Sequence, residues 1–63
     1  MKDIQLIVWL RIRDDRSSDN VAHIVKDALE CELVGESLDG NLVALHVRNP
    51  ETNLVITTSG IML

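Results

Sequence analysis

The alternating run DIQLIVWLRIR occupies residues 3–13. Successive side chains of an extended chain point to opposite faces, so the even and odd positions of this run form two separate sets. The period of two, together with the β-branched residues, predicts a strand. Its two faces are Ile4, Leu6, Val8, Leu10 and Ile12 on one side, and Gln5, Ile7, Trp9, Arg11 and Arg13 on the other.

A polar loop at residues 14–20 separates this strand from a predicted helix. Ser17, Ser18 or Asp19 can accept hydrogen bonds from the first free amides of a helix, and Asp19 also suits the positive end of its dipole. Apolar residues then recur at helical spacing, with polar residues between them. The pattern predicts a helix near residues 19–31 with an apolar stripe of Val21, Ile24, Val25, Ala28 and Leu29.

Three further strands are predicted after the helix. Residues 32–38 have a modest strand pattern, and Asp39-Gly40 then favours a tight hairpin because both residue types tolerate positive φ. Residues 42–48 and 54–59 are the next strands, joined by a turn at residues 49–53 in which a proline presets φ.

The predicted fold is therefore α+β, with elements in the order β-α-β-β-β. A right-handed crossover places the first two strands parallel in a mixed four-stranded sheet, and the one helix covers one face of it. Residues 1–63 form a single domain on this prediction. The apolar C-terminal tail, residues 60–63, is expected either to fold over the sheet as a lid or to join an interface.

Composition limits the class of protein. The chain has 63 residues, a net charge of −4 and a single cysteine, Cys31. One cysteine excludes an internal disulfide and favours a reducing compartment, so we expect a cytoplasmic protein. No run matches a signal peptide or is long enough to span a bilayer. A chain this short buries only about 60% of its unfolded surface, and oligomerisation is a common compensation.

The helix can cover only one face of the sheet, which leaves apolar surface on the other. In the third strand Val43, Leu45 and Val47 are the expected inward set. The uncovered face is apolar at one end and cationic at the other, more than a monomer usually exposes. The predicted partner interface is Ile7, Trp9, Arg11, Arg13, Leu42, Ala44, His46, Arg48, Ile61, Met62 and Leu63.

A symmetric homodimer is the favoured explanation for this face, and a C-terminal lid or a different partner is the alternative. Trp9 is the expected anchor, because buried tryptophans often dominate interface energy; an ordinary core tryptophan is equally consistent with the pattern.

No catalytic, cofactor or metal signature is present in the sequence. The three glycines are isolated, so no phosphate-binding loop is predicted. His23 and Cys31 would lie about 12 Å apart along a helix, too far for a nucleophile and its base. Acidic residues crowd the helix end and the segment after it, but without the spacing of a calcium loop, and a solvated rim is expected instead. The rim consists of Asp27, Glu30, Glu32, Glu36 and Asp39.

The sequence thus predicts a non-catalytic protein-interaction module, acting as a regulator, inhibitor or accessory subunit through homodimerisation. No small-molecule substrate and no membrane association are expected. The alternative is weak nucleic-acid binding, in which Trp9 stacks on bases while Arg11 and Arg13 contact phosphates. One aromatic residue and an acidic total charge argue against this alternative.

Overall fold

The computed structural model describes residues 2–58. Its helix, α1, spans Ser18–Glu32 and continues into a π-helical turn at Leu33–Ser37. Two strands follow, β1 at Leu45–Asn49 and β2 at Leu54–Thr58, and they form an antiparallel two-stranded sheet. The protein is α+β as predicted, but with one helix and one hairpin.

Helix α1 begins where its capping chemistry predicts. Ser17 has an extended backbone, with φ −66° and ψ 154°, and its hydroxyl accepts a hydrogen bond from the Asn20 amide at 3.1 Å. Asp19 lies in the first turn, where a negative charge interacts favourably with the helix dipole. The predicted helix is confirmed, with one residue more at each end.

The predicted strand at residues 32–38 is wrong, because this stretch continues the helix. Leu33 donates its amide to the carbonyls of Leu29 and Glu30, so the backbone is satisfied locally. A strand here would need a neighbouring ladder, and no strand precedes it among the described residues. The turn chemistry at Asp39-Gly40 is present, with φ 49° and 80°, but this turn follows a helix and does not connect two strands.

The hairpin of β1 and β2 confirms the last two predicted strands. Val47 pairs with Ile56 at its centre, and Asn49 pairs with Leu54 at its closed end. In the intervening turn Asn53 adopts φ 64° and donates its amide to the Asn49 carbonyl at 2.8 Å. Strand β1 starts three residues later than predicted.

The predicted four-stranded sheet with β-α-β-β-β order is wrong. Residues 2–17 form no helix or strand, with a bend at residues 13 and 14, and none of them joins a sheet. The period-two pattern of residues 3–13 specifies which side chains share a face, but it carries no information about which strand supplies the hydrogen-bonding partner. The two-stranded sheet is therefore all that forms within residues 2–58.

The core between α1 and the hairpin is small. Ala22 and Ile56 are the buried apolar residues of the described chain. Leu45 and Val47 are half-buried on the same sheet face, whereas Val43 is 56% exposed because it lies outside β1. The predicted inward set of the third strand is thus only partly covered.

A buried asparagine ties the helix to the hairpin. Asn49 is 8% exposed, and its amide nitrogen donates to Ser18 Oγ and Asp19 Oδ1, both at 2.9 Å. Its oxygen accepts from the Glu51 amide at 3.0 Å, and the Thr52 hydroxyl also donates to Asp19. This polar network closes the N-terminal end of α1 onto the β1–β2 turn.

Candidate functional site

The N-terminal segment, residues 3–13, faces the helix and hairpin across an open cleft of about 2000 Å³. Pockets for small ligands usually measure about 300–1000 Å³. The cleft is therefore larger than the usual pocket for a small ligand. Its apolar walls include Ile4, Leu6, Val8, Leu10 and Ile12 from the segment and Val21, Ala22, Val25 and Leu29 from α1.

Strand β1 and the residues before it line the cleft. Strand β2 occupies one edge of β1, while Leu45, His46, Val47 and Arg48 all line the cleft although they alternate between the sheet faces. The first strand was predicted to lie parallel to a strand at residues 32–38, and within residues 2–58 the N-terminal segment joins neither that stretch nor β1 as a strand.

The N-terminal segment exposes large apolar side chains. Ile7 and Trp9 are each 91% exposed, and Leu6 is 81% exposed. The molecule has 5616 Å² of accessible surface, whereas a compact chain of 7.0 kDa exposes about 4000 Å². The excess, about 1600 Å², is larger than the roughly 800 Å² that each partner buries in a standard protein interface.

The predicted interface residues do not form one sheet face. Ile7 and four residues of the β1 region line the cleft, the four being Leu42, Ala44, His46 and Arg48. Trp9, Arg11 and Arg13 are exposed and lie outside its lining. Ile61, Met62 and Leu63, and with them the predicted lid, lie outside the described residues.

Charges at the two ends of the segment lack partners within residues 2–58. Asp14 is paired with Arg16, whose Nε lies 2.9 Å from its carboxylate and whose amide donates to it at 3.1 Å. Asp3, Arg11 and Arg13 are exposed and make no hydrogen bond or ion pair with another described residue. An acidic end and a basic end are thus both free to meet a partner.

Other reactive side chains are scattered. Cys31 is exposed at the end of α1, and His46 Nδ1 lies 3.2 Å from the Thr57 hydroxyl on the outer face of the hairpin. His23 is exposed on α1. Within residues 2–58 no three His, Cys, Asp or Glu side chains come together as a metal site.

The acidic rim is partly neutralised by one lysine. Lys26 Nζ lies 2.9 Å from Asp27 and 3.3 Å from Glu30, and the hydrogen bonds to Asp27 and then Glu30 raise the pKa of Lys26 above 10.5. Farther along, the Ser37 hydroxyl donates to Glu32 at 3.1 Å. These contacts resemble ordinary surface pairs of a helix.

Sequence reasoning missed two features of this region. The apolar stripe of α1 that faces the cleft includes Ala22 and continues to Leu33, whereas Ile24 of the predicted stripe is 46% exposed. Asn49 was assigned to a turn, although it is the buried polar anchor of the fold. The sequence gives little indication that Asn49 is buried, because an asparagine in an exposed turn and a buried asparagine cannot be told apart by residue type.

Comparison of the chain with family models, with curated proteins and with solved structures gave no match. Of the helices formed by residues 2–58, none has the length and apolar character needed to cross a bilayer.

Proposed function

We propose that the protein is a small, non-catalytic protein-interaction module that acts through homodimerisation. In this role it serves as a regulator, an inhibitor or an accessory subunit. The observation that carries the proposal is the N-terminal segment, which has a strand pattern, large apolar side chains and no strand partner among the described residues.

Unpaired backbone with a strand-like sequence is what makes this segment suited to association. Its amide and carbonyl groups can add to another strand, and main-chain hydrogen bonds then provide affinity while alternate side chains provide specificity. The surface excess of about 1600 Å² per chain exceeds the roughly 800 Å² that each partner of a standard interface removes from water. The small core of Ala22 and Ile56 gives a further reason for burial between chains.

Equilibrium sedimentation of the full chain tests the proposal. We expect a dimer mass at micromolar concentration, and a monomer for Leu6→Asp, which places a charge on the exposed segment. Ile24→Asp is the matched control, because Ile24 is an exposed apolar residue of α1 outside the cleft and its variant should remain a dimer. A monomer mass for the unmodified protein up to about 100 µM would contradict the proposal.

We further propose a cytoplasmic location. Cys31 is an exposed free thiol, which a reducing compartment preserves. Fractionation of the native host with an antibody to the full chain measures this directly, and recovery in an extracellular or envelope fraction would contradict it.

Weak nucleic-acid binding is the second candidate function. It is favoured by one observation: the side chain of Trp9 is exposed beside Arg11 and Arg13, which have no acidic partner in the described chain. Stacking on Trp9 and phosphate contacts from the arginines would then act together.

Gel-shift measurements at low salt distinguish this function. If it holds, affinity falls steeply with salt, and Arg11→Ala with Arg13→Ala abolishes binding. Lys26→Ala is the control, since Lys26 lies on α1 and its Nζ pairs with Asp27 at 2.9 Å and Glu30 at 3.3 Å. No shift with mixed single- and double-stranded probes would remove this candidate.

A further inference from the structure

The N-terminal segment is self-complementary when it is laid antiparallel against a second copy of itself. We propose that the homodimer forms through this pairing, with Val8 of each copy directly opposite Val8 of the other on the two-fold axis. This register rests on the proposed homodimerisation and specifies which residues meet.

The apolar face matches itself about Val8. With Val8 at the centre, Leu6 lies opposite Leu10 of the second copy, and Ile4 lies opposite Ile12 of the second copy. All these side chains line the cleft, as do Asp3, Gln5 and Ile7. Directly opposite residues of an antiparallel pair lie on the same face, so the pairing keeps both apolar faces on one side of the joined strands.

The other face is complementary in charge and shape. Asp3 lies opposite Arg13 of the second copy, and Gln5 lies opposite Arg11 of the second copy. Each dimer contains two copies of every such pair, one at each end. Asp3, Arg11 and Arg13 have no partner in their own described chain, so the pairing uses charges that the monomer leaves free.

The two most exposed apolar residues also meet in this register. Ile7 lies opposite Trp9 of the second copy, a cross-strand pair of a β-branched and an aromatic residue that stabilises sheets. Both side chains are 91% exposed in the single chain. The pairing therefore brings into contact two large apolar side chains that the single chain leaves in water.

Neighbouring registers place less compatible side chains opposite each other. If one strand is shifted by two residues in one direction, Ile7 lies opposite Arg11 and Ile4 lies opposite Asp14. A shift by two residues in the other direction places Lys2 opposite Ile12. A shift by one residue puts the apolar faces of the two copies on opposite sides of the ribbon, because side chains alternate. Only the register centred on Val8 pairs apolar with apolar residues throughout and opposite charges at the ends.

Disulfide trapping tests the register, with Cys31→Ser as the background. In this background Val8→Cys should cross-link efficiently under mild oxidation, since opposite Cα atoms lie about 4.5–5.5 Å apart, within the range of a disulfide. The Ile4→Cys variant alone should not cross-link, because the two copies of residue 4 lie about 27 Å apart along the paired strands. A mixture of Ile4→Cys and Ile12→Cys chains should cross-link again.

Charge reversal provides a second, reversible readout. Arg13→Asp should weaken the dimer about tenfold or more at low salt by placing like charges opposite each other twice per dimer, and Asp3→Arg with Arg13→Asp should restore it. Circular dichroism of each variant checks that α1 is intact.

The outcomes separate the register from the proposed function. A dimer that cross-links equally through residue 4 and residue 8, or that charge reversal leaves unchanged, overturns the register while homodimerisation stands. A monomer at all concentrations overturns both. Nuclease-treated protein that is monomeric but binds oligonucleotides through Arg13 also overturns the proposal and favours the nucleic-acid function.

Discussion

Trp9 combines two properties that make it informative at the scale of single residues. It is the only aromatic residue of the chain, and its side chain is 91% exposed in the single chain. A tryptophan so placed gains free energy from any contact that removes it from water, roughly in proportion to the apolar area covered. Its fluorescence therefore reports on whatever covers this face.

We expect the emission of Trp9 to shift to the red on dilution, because separation of the protomers returns the indole to water. Fluorescence spectra between about 100 µM and 0.1 µM measure the shift, and Trp9→Ala should give a monomer by sedimentation. If residues 61–63 covered Trp9 within one chain, dilution would leave the spectrum unchanged and deletion of those residues would shift it.

Asn49 is the residue on which the fold of the described chain depends most. Its side chain is buried and bonds to Ser18, Asp19 and the Glu51 amide, so every polar atom of the amide is satisfied. A buried polar group that keeps its partners contributes modestly, whereas removal of one partner leaves the others unsatisfied.

Asn49→Ala should lower the free energy of unfolding by about 1–3 kcal/mol, because three hydrogen bonds are lost at a buried site. Asn41→Ala is the control: Asn41 is exposed and donates to the Leu38 carbonyl at 2.9 Å, and its loss should cost at most about 0.5 kcal/mol. Urea unfolding followed by circular dichroism measures both, and equal effects would contradict the central role of Asn49.

At the scale of elements, α1 and the hairpin were predictable because local chemistry specifies them. Ser17 supplies the cap, the apolar residues recur at helical spacing, and the turn before β2 contains Pro50 and an Asn53 that accepts positive φ. The stretch at Leu33–Ser37 was not predictable in the same way. Its pattern suits a strand, but a strand requires a partner that the described chain does not provide, and helical backbone bonds form without one.

Ser17→Ala should destabilise the protein by about 1 kcal/mol through loss of the bond to the Asn20 amide. Ser37→Ala, which removes an exposed hydroxyl bonded to Glu32, should change stability by no more than about 0.5 kcal/mol. The comparison uses thermal or urea unfolding at fixed protein concentration. A Ser17 variant no less stable than the Ser37 variant would show that the cap contributes nothing.

At the scale of the whole molecule, the described chain is extended for its size. Its radius of gyration is 12.5 Å, against about 11 Å for a compact chain of this length. The N-terminal segment stands across the cleft from the helix and hairpin, so apolar side chains on both walls remain in contact with water. Closing this space, within one chain or between two, would remove that apolar surface from water and stabilise the folded chain.

We expect the melting temperature to rise with protein concentration, because association stabilises the folded chain by mass action. A hundredfold rise in concentration should add roughly 2.7 kcal/mol per dimer. Calorimetry or circular dichroism at about 1 µM and 100 µM measures the change, and Leu6→Asp, which should be monomeric, serves as the control. A melting temperature independent of concentration would contradict a dimer linked to folding.

The amino-acid order alone was sufficient for features that depend on neighbours along the chain. These are the helix from its cap to its apolar stripe, the turn that joins β1 and β2, and the two-faced character of residues 3–13. Three-dimensional packing decided the rest: the absence of residues 3–13 from the sheet, the helical course of Leu33–Ser37 and the burial of Asn49. The physical reason is that helices and turns satisfy their hydrogen bonds within a few residues, whereas a strand obtains its partner from a distant segment or another chain.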